Sequence, residues 1–215
     1  MKNPIQYLAS VAVAMLAGCA VMPSGPALDK LTADITRASF RDEGQAKIDR
    51  LVTDEANREC SAADVAGKPI DAKTAKEIEA ANFATIKWPA DGVFLGNWKE
   101  GETIAQNGRG MTWTDKAGAE NGGNCYNCHQ IDKKEISFGT IGPSLYNYGK
   151  SRGVSNPADP QAKAVVEYTC GKIWNARAYY ACSQMPRARH YGILTPPTPN
   201  LTMAPPPPPN SPVNQ

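Results

Sequence analysis

The stretch GGNCYNCHQI, residues 122–131, decides how this chain is read. It sets two cysteines two residues apart with His129 directly after the second, in a protein of 215 residues whose other histidine is His190. Three chemistries share a Cys-x-x-Cys core. A thiol–disulfide redox pair belongs in a βαβ context, and no alternating strand pattern flanks this one. Structural zinc takes four ligands, ordinarily as two pairs, and no second pair follows. In the third, two thiols add to the vinyl groups along one porphyrin edge, and the adjacent histidine reaches the iron from beneath the ring. Cys125 and Cys128 are therefore the predicted attachment residues for one covalent haem c, with His129 the predicted proximal iron ligand.

The N-terminus carries an export signal. Met1-Lys2 precede an apolar run, Ile5 to Ala17, shorter than the roughly 20 residues that cross a bilayer and built like a secretory signal. The run ends in LAGC, residues 16–19. Small residues before a cysteine resemble a bacterial lipobox, in which Cys19 is acylated and becomes the mature N-terminus; the rival is an ordinary signal cleaved nearby. Either way the expectation is a periplasmic protein in a disulfide-permitting compartment, and the lipobox reading adds a membrane anchor through Cys19. With 23 Lys and Arg against 21 Asp and Glu, the formal net charge of +2 carries no basic stripe and gives no reason to expect nucleic acid.

Organisation follows from composition. Residues 1–18 form the signal and 19–27 a Pro/Gly-containing tether. Residues 28–90 form a charged N-terminal helical extension, with Leu28, Leu31, Ile35, Ile48, Leu51 and Val52 near helical spacing and a break around Gly44. A further helix is predicted from Asp71 to Phe83. KWPADG, 87–92, reads as a turn before the main domain, 91–195. That domain is predicted to hold a short helix within 97–110, a polar loop over 114–124, a loop and short helix over 139–149, and a helical stretch around Val165 and Val166. The expected class is all-α. The tail, 196–215, is Pro-rich and cannot form a helix as written.

An iron bound through His129 has a second axial position. The candidates are Met111, Met185, Met203 and His190. Met185 is preferred because it lies in CSQMPRARH, 56 residues beyond His129, where Pro186 stiffens a loop long enough to pass round the ring edge. Gly142-Pro143 adds a support: a ligating imidazole donates its other N–H to a carbonyl, and the Pro143 carbonyl is the predicted acceptor. Of six cysteines, Cys60, Cys170 and Cys182 remain unassigned. The expected disulfide is Cys60–Cys182, which would tie the extension beside the Met185 loop and leave Cys170 as a thiol. Cys170–Cys182 is the alternative, needing only a local helix-to-loop reversal.

Together CYNCH, IGPSLYNYG, GKIWNARAYYACSQMPR and the ATIKWPADG entry resemble the SoxX family, monohaem cytochrome c subunits of the SoxAX complex of bacterial sulfur oxidation, over roughly residues 30–195. The resemblance implies a class I cytochrome c-like haem domain and His129/Met185 ligation. It also implies a heterodimer with the SoxA haem subunit that acts as an L-cysteine S-thiosulfotransferase, coupling thiosulfate oxidatively to a cysteine of the carrier SoxYZ. This subunit would take the electrons and pass them to a small acceptor cytochrome. The chain departs from the family where MPRFG is replaced by Met185-Pro186-Arg187-Ala188-Arg189, and where proline replaces a closing amphipathic helix. The rival function is a free-standing, lipid-anchored periplasmic electron carrier without a catalytic partner. A haem sensor would want an open sixth position, which Met185 argues against.

Overall fold

The computed structural model describes residues 25–116, 119 and 121–187. Its helices are α1 (Pro26–Ser39), α2 (Glu55–Val65), α3 (Ala72–Phe83), α4 (Trp98–Gln106), the single turn α5 (Tyr148–Ser151) and α6 (Lys163–Trp174). Short 3₁₀ turns occupy Ile48–Leu51, Cys125–Asn127, Pro160–Ala162 and Ala176–Ala178. Among the described residues no strand forms, and one isolated bridge joins Glu43 to Ala46. The protein is all-α in its described part.

Two compact units divide the chain. Of the described residues, one unit contains 25–42 together with 47–51, and the other contains 43–46 and those from 52 to 187. The division thus falls inside the segment 28–90: α1 lies in the first unit, while α2 and α3 belong to the same unit as the CYNCH motif. In the first unit, α1 starts on Pro26, whose fixed φ suits a first helical turn. Asp29 and Arg37 complement its dipole, and Lys30 pairs with Asp34 at 2.5 Å.

The helices of the second unit begin where side chains satisfy their first N–H groups. The Asp54 carboxylate accepts from Asn57 N–H at 2.8 Å, Asp71 accepts from the N–H groups of Lys73 and Thr74 at 3.0 Å, and the Asn97 side chain accepts from Lys99 N–H at 3.1 Å. The helices α2 and α3 bury Ala56 and Ile78 against Ala181, with Ile70, Ala75 and Cys182 packed around them. The C-terminal segment is therefore a core element, inserted where the extension closes. Beside it Phe83, Trp88, Phe94, Tyr168 and Tyr179 form a chain of tilted and edge-on rings, 4.8 to 6.1 Å between centroids. The KWPADG turn closes through Gly92 N–H to the Pro89 carbonyl, and its Trp88 anchors that chain.

Asn175 ends α6 and is fully buried, at 0% exposure. Its Nδ2 donates to Asn82 Oδ1 at 2.9 Å and to Thr85 Oγ1 at 3.1 Å, and its Oδ1 accepts from Arg177 N–H at 3.2 Å. One side chain thereby stops the helix, starts the Ala176–Ala178 turn and joins both to the end of α3. Asn175→Ala should lower stability by about 2–3 kcal/mol, because it strands buried polar groups on two elements. Lys73→Ala, which breaks only an exposed pair with Glu77, should cost under about 0.5 kcal/mol. Urea unfolding of both variants checks the contrast.

Candidate functional site

The CYNCH stretch is a loop pinned from two sides. On the first, the chain after α4 pairs with the residues leading into the motif: Gly122 N–H donates to Arg109 O at 2.8 Å, Gly123 to Ile104 O at 2.8 Å and Asn124 to Asn107 O at 3.0 Å. Ile104 O is one of the last carbonyls of α4, which helix geometry leaves without an internal donor. The approach requires glycine, since a Cβ at Gly122 would stand 1.7 Å from Asn107 O. On the second side, the later segment 139–145 runs beside the motif. Gly139 N–H donates to Tyr126 O at 2.7 Å, Gly142 to Cys128 O at 2.8 Å and Leu145 to Gln130 O at 2.7 Å. Ser144 Oγ donates to Gln130 Oε1 at 2.9 Å, and Thr169 Oγ1 reaches Tyr148 Oη at 3.2 Å, joining α6 to the end of the same segment.

Within the loop, Cys125 O accepts from both Cys128 N–H and His129 N–H, at 3.1 and 2.9 Å. One 3₁₀ turn therefore carries both thiols and the imidazole. Neither Cys125 nor Cys128 takes part in a disulfide, and each is partly buried. Burial, reinforced by the neighbouring Cys128, pushes the Cys125 thiol above its ordinary range. A disulfide-exchange nucleophile needs the opposite shift. Among the described residues no group of three or more His, Cys, Asp and Glu is arranged to hold a metal ion.

His129 Nδ1 lies 2.7 Å from Pro143 O. A carbonyl only accepts, so the proton of a neutral imidazole sits on Nδ1 and the Nε2 lone pair is left to bind elsewhere. The imidazole lies directly on the backbone of Gly142, where a Cβ would stand 2.1 Å from Cε1, 2.5 Å from Nδ1 and 2.6 Å from Nε2. The Gly-Pro pair thus has two roles: glycine makes room for the ring and proline supplies the acceptor. The sequence reading identified the acceptor and missed the need for glycine.

Met185 lies on the loop after Cys182, partly buried, with its N–H donating to Ser183 Oγ at 3.3 Å. Cys182 is bonded to Cys60 of α2 across 122 residues of chain, the pairing preferred above, while Cys170 takes no part in a disulfide. Two residues past Met185, Arg187 pairs with the Asp54 carboxylate. Arg177 Nη1 joins the same carboxylate at 3.0 and 3.3 Å, and Arg177 Nη2 donates to Asn57 Oδ1. Sequence reasoning missed this cluster. An Asp before a helical run flags a cap, yet nothing local to Asp54 announces partners more than 120 residues away. Met111, another candidate ligand, sits in the loop before the motif with left-handed backbone, φ 65°. Cys19, His190, Met203, the signal segment 1–18 and the tail 196–215 lie outside the described residues. No helix among those described is long and apolar enough to cross a membrane.

No protein-family model matches the chain. Over 125 residues it is 37% identical to a protein of Aquifex aeolicus (strain VF5) described as an uncharacterized lipoprotein. The match covers 55% of this chain and 55% of that protein, so the chain spans about half the length of the curated relative it matches.

Electrostatics at Asp54 set an acid limit. Burial pushes its carboxyl up, but Asn57 N–H and the Arg187 and Arg177 guanidinium groups together outweigh that and hold it down at about 2, against an ordinary 3.8. A depressed carboxyl stabilises the fold fully above its unfolded value and loses that contribution as pH falls from about 4 toward about 2. Allowing for partial exposure, Asp54→Asn should cost roughly 1–2 kcal/mol at neutral pH. The gap between wild type and variant should close across that acid window, as followed by urea unfolding at several pH values.

Proposed function

We propose that this chain is a c-type cytochrome of the SoxX kind, the electron-accepting subunit of a SoxAX-type thiosulfate-oxidising complex. The observation that carries the reading is the His129 Nδ1–Pro143 O hydrogen bond, which leaves Nε2 basic and its ring fixed directly after two unbonded thiols. Covalent haem c fits the residues present. Cys125 and Cys128 would carry it, His129 Nε2 would hold its iron on one side, and Met185 would hold it on the other. The returning segment also fits, since Ile141, next to the Gly142 on which the His129 ring lies, is 79% exposed. An apolar side chain there suits cover by an apolar ring. Bound haem iron would supply one-electron chemistry, with its potential set by the axial ligands and their hydrogen bonds.

With His129 and Met185 both bound to iron, thiosulfate would find no ligand position, and outside the haem motif the sequence shows no paired carboxylates and no nucleophile–base pair. Formation of the bond between thiosulfate and the SoxYZ cysteine therefore falls to the SoxA partner, and this chain is the electron exit toward a small acceptor cytochrome. The Aquifex relative's description as a lipoprotein supports export to the periplasm and anchoring through Cys19.

Expression of the full chain with cytochrome c maturation machinery should yield one covalent haem, read by the pyridine haemochrome spectrum after acid–acetone extraction. His129→Ala should give no holoprotein. Met185→Ala should retain haem but lose the weak far-red sulfur-to-iron band of the oxidised form and lower the midpoint potential. An unaltered spectrum in that variant would move the ligand role to His190 or Met203.

The assignment of roles has its own test. The isolated protein should be reduced by ascorbate yet show no thiosulfate-dependent turnover until SoxA and SoxYZ are added. Steady thiosulfate oxidation by this chain alone would overturn that division, and purification from the native membrane fraction without a second haem polypeptide would favour the free-standing carrier.

A further inference from the structure

The segment bearing Met185 is short and held at both ends by one helix. Cys182, three residues before Met185, is bonded to Cys60. Arg187, two residues after it, is paired with Asp54. Asp54 caps α2 and Cys60 lies six residues on, about 9 Å along the helix axis. The ionic anchor is partly shielded: the Arg187 and Arg177 side chains are 10% and 12% exposed, that of Asp54 is 31% exposed, and both guanidinium groups face the same carboxylate. Charge-assisted bonds in such surroundings are stronger and less screened than at an open surface. A cross-link serving only global stability would need no ion pair five residues further on. Anchors on either side of one residue restrict the backbone of the residue between them.

We propose that α2 is a two-point clamp, and that Asp54 and Cys60 are positioning residues fixing the backbone that presents the Met185 sulfur. The inference rests on the assignment of Met185 as the second axial ligand. It gives this part of the N-terminal extension a task within its own chain, apart from any role as a partner-binding surface. Each acts through the 182–187 segment.

The test compares the full matured chain with Asp54→Asn, Asp54→Glu, Arg187→Gln and the double variant Cys60→Ser/Cys182→Ser. Asparagine caps a helix about as well as aspartate, so Asp54→Asn keeps the bond from Asn57 N–H while removing the charge that Arg187 needs. Peptide-resolved hydrogen exchange of 183–187 should quicken about tenfold in Asp54→Asn and Arg187→Gln, with amides of α3 unchanged. The far-red band should vanish at a lower temperature in the same variants, and Asp54→Glu should restore part of both. The double cysteine variant should also loosen 183–187, from its other end. Exchange at 183–187 that stays at the wild-type rate, or rises only in step with α3, overturns the clamp. Should Asp54→Asn fail to accumulate, Arg187→Gln decides, since it leaves the cap of α2 intact. A wild-type protein without the far-red band sinks the Met185 assignment and the proposal with it, whereas a normal band with unresponsive exchange sinks the clamp alone.

Discussion

The bond between Cys60 and Cys182 is the constraint on which the larger unit depends. It closes a loop of 122 residues, and in the chain-entropy account such a closure removes about 4–5 kcal/mol of unfolded-state freedom. The motif loop, the returning segment and α6 all lie within that loop. The bond also sits inside a small apolar core, where Ala56 and Ile78 meet Ala181. Glu79 Oε1 accepts from Ala181 N–H at 3.1 Å beside it. Among the described residues the buried core is modest, and a cross-link supplements what hydrophobic burial of that size supplies.

At the motif the governing requirement is a defined imidazole. A histidine on a surface loop can take either tautomer and several rotamers. Here the Pro143 carbonyl selects the proton position, and Gly142 allows the ring to lie against backbone. The hydrogen bonds from Gly139, Gly142 and Leu145 keep that acceptor in place, so the ring orientation is inherited from main-chain pairing. Such pairing ties the tautomer of the ring to the fold.

Helices α1, α3, α4 and α6 were legible because they obey local rules, whereas α2, Glu55–Val65, was not read as a separate helix. Asp54, Asp71 and Asn97 each stand immediately before a helix and accept from its first N–H groups, and Pro26 opens α1. Charges on α3 solvate one face while Ile78 is buried on the other. The break read at Gly44 is a wider stretch, from Phe40 to Asp54, relieved only by the turn Ile48–Leu51. Division of the chain into units was not legible, because α2 is joined to the main unit by residues at its far end. Asn175 and Asp54 were missed for the same reason: a polar side chain with partners far along the chain is recognisable only when those partners are known.

Local chemistry is therefore what this sequence determined by itself. Cys125, Cys128, His129 and the Gly142-Pro143 pair lie within 19 residues, and short-range spacing suffices to state what each can do. Helix starts and the all-α class belong to the same category, since caps and periodicity act within a few residues. Tertiary structure alone decided which of three remaining cysteines pair, that α2 and α3 pack on the C-terminal segment, and that one carboxylate gathers Arg177 and Arg187. Those outcomes depend on loop closure and desolvation between residues more than 100 positions apart, where no periodicity or spacing rule reaches.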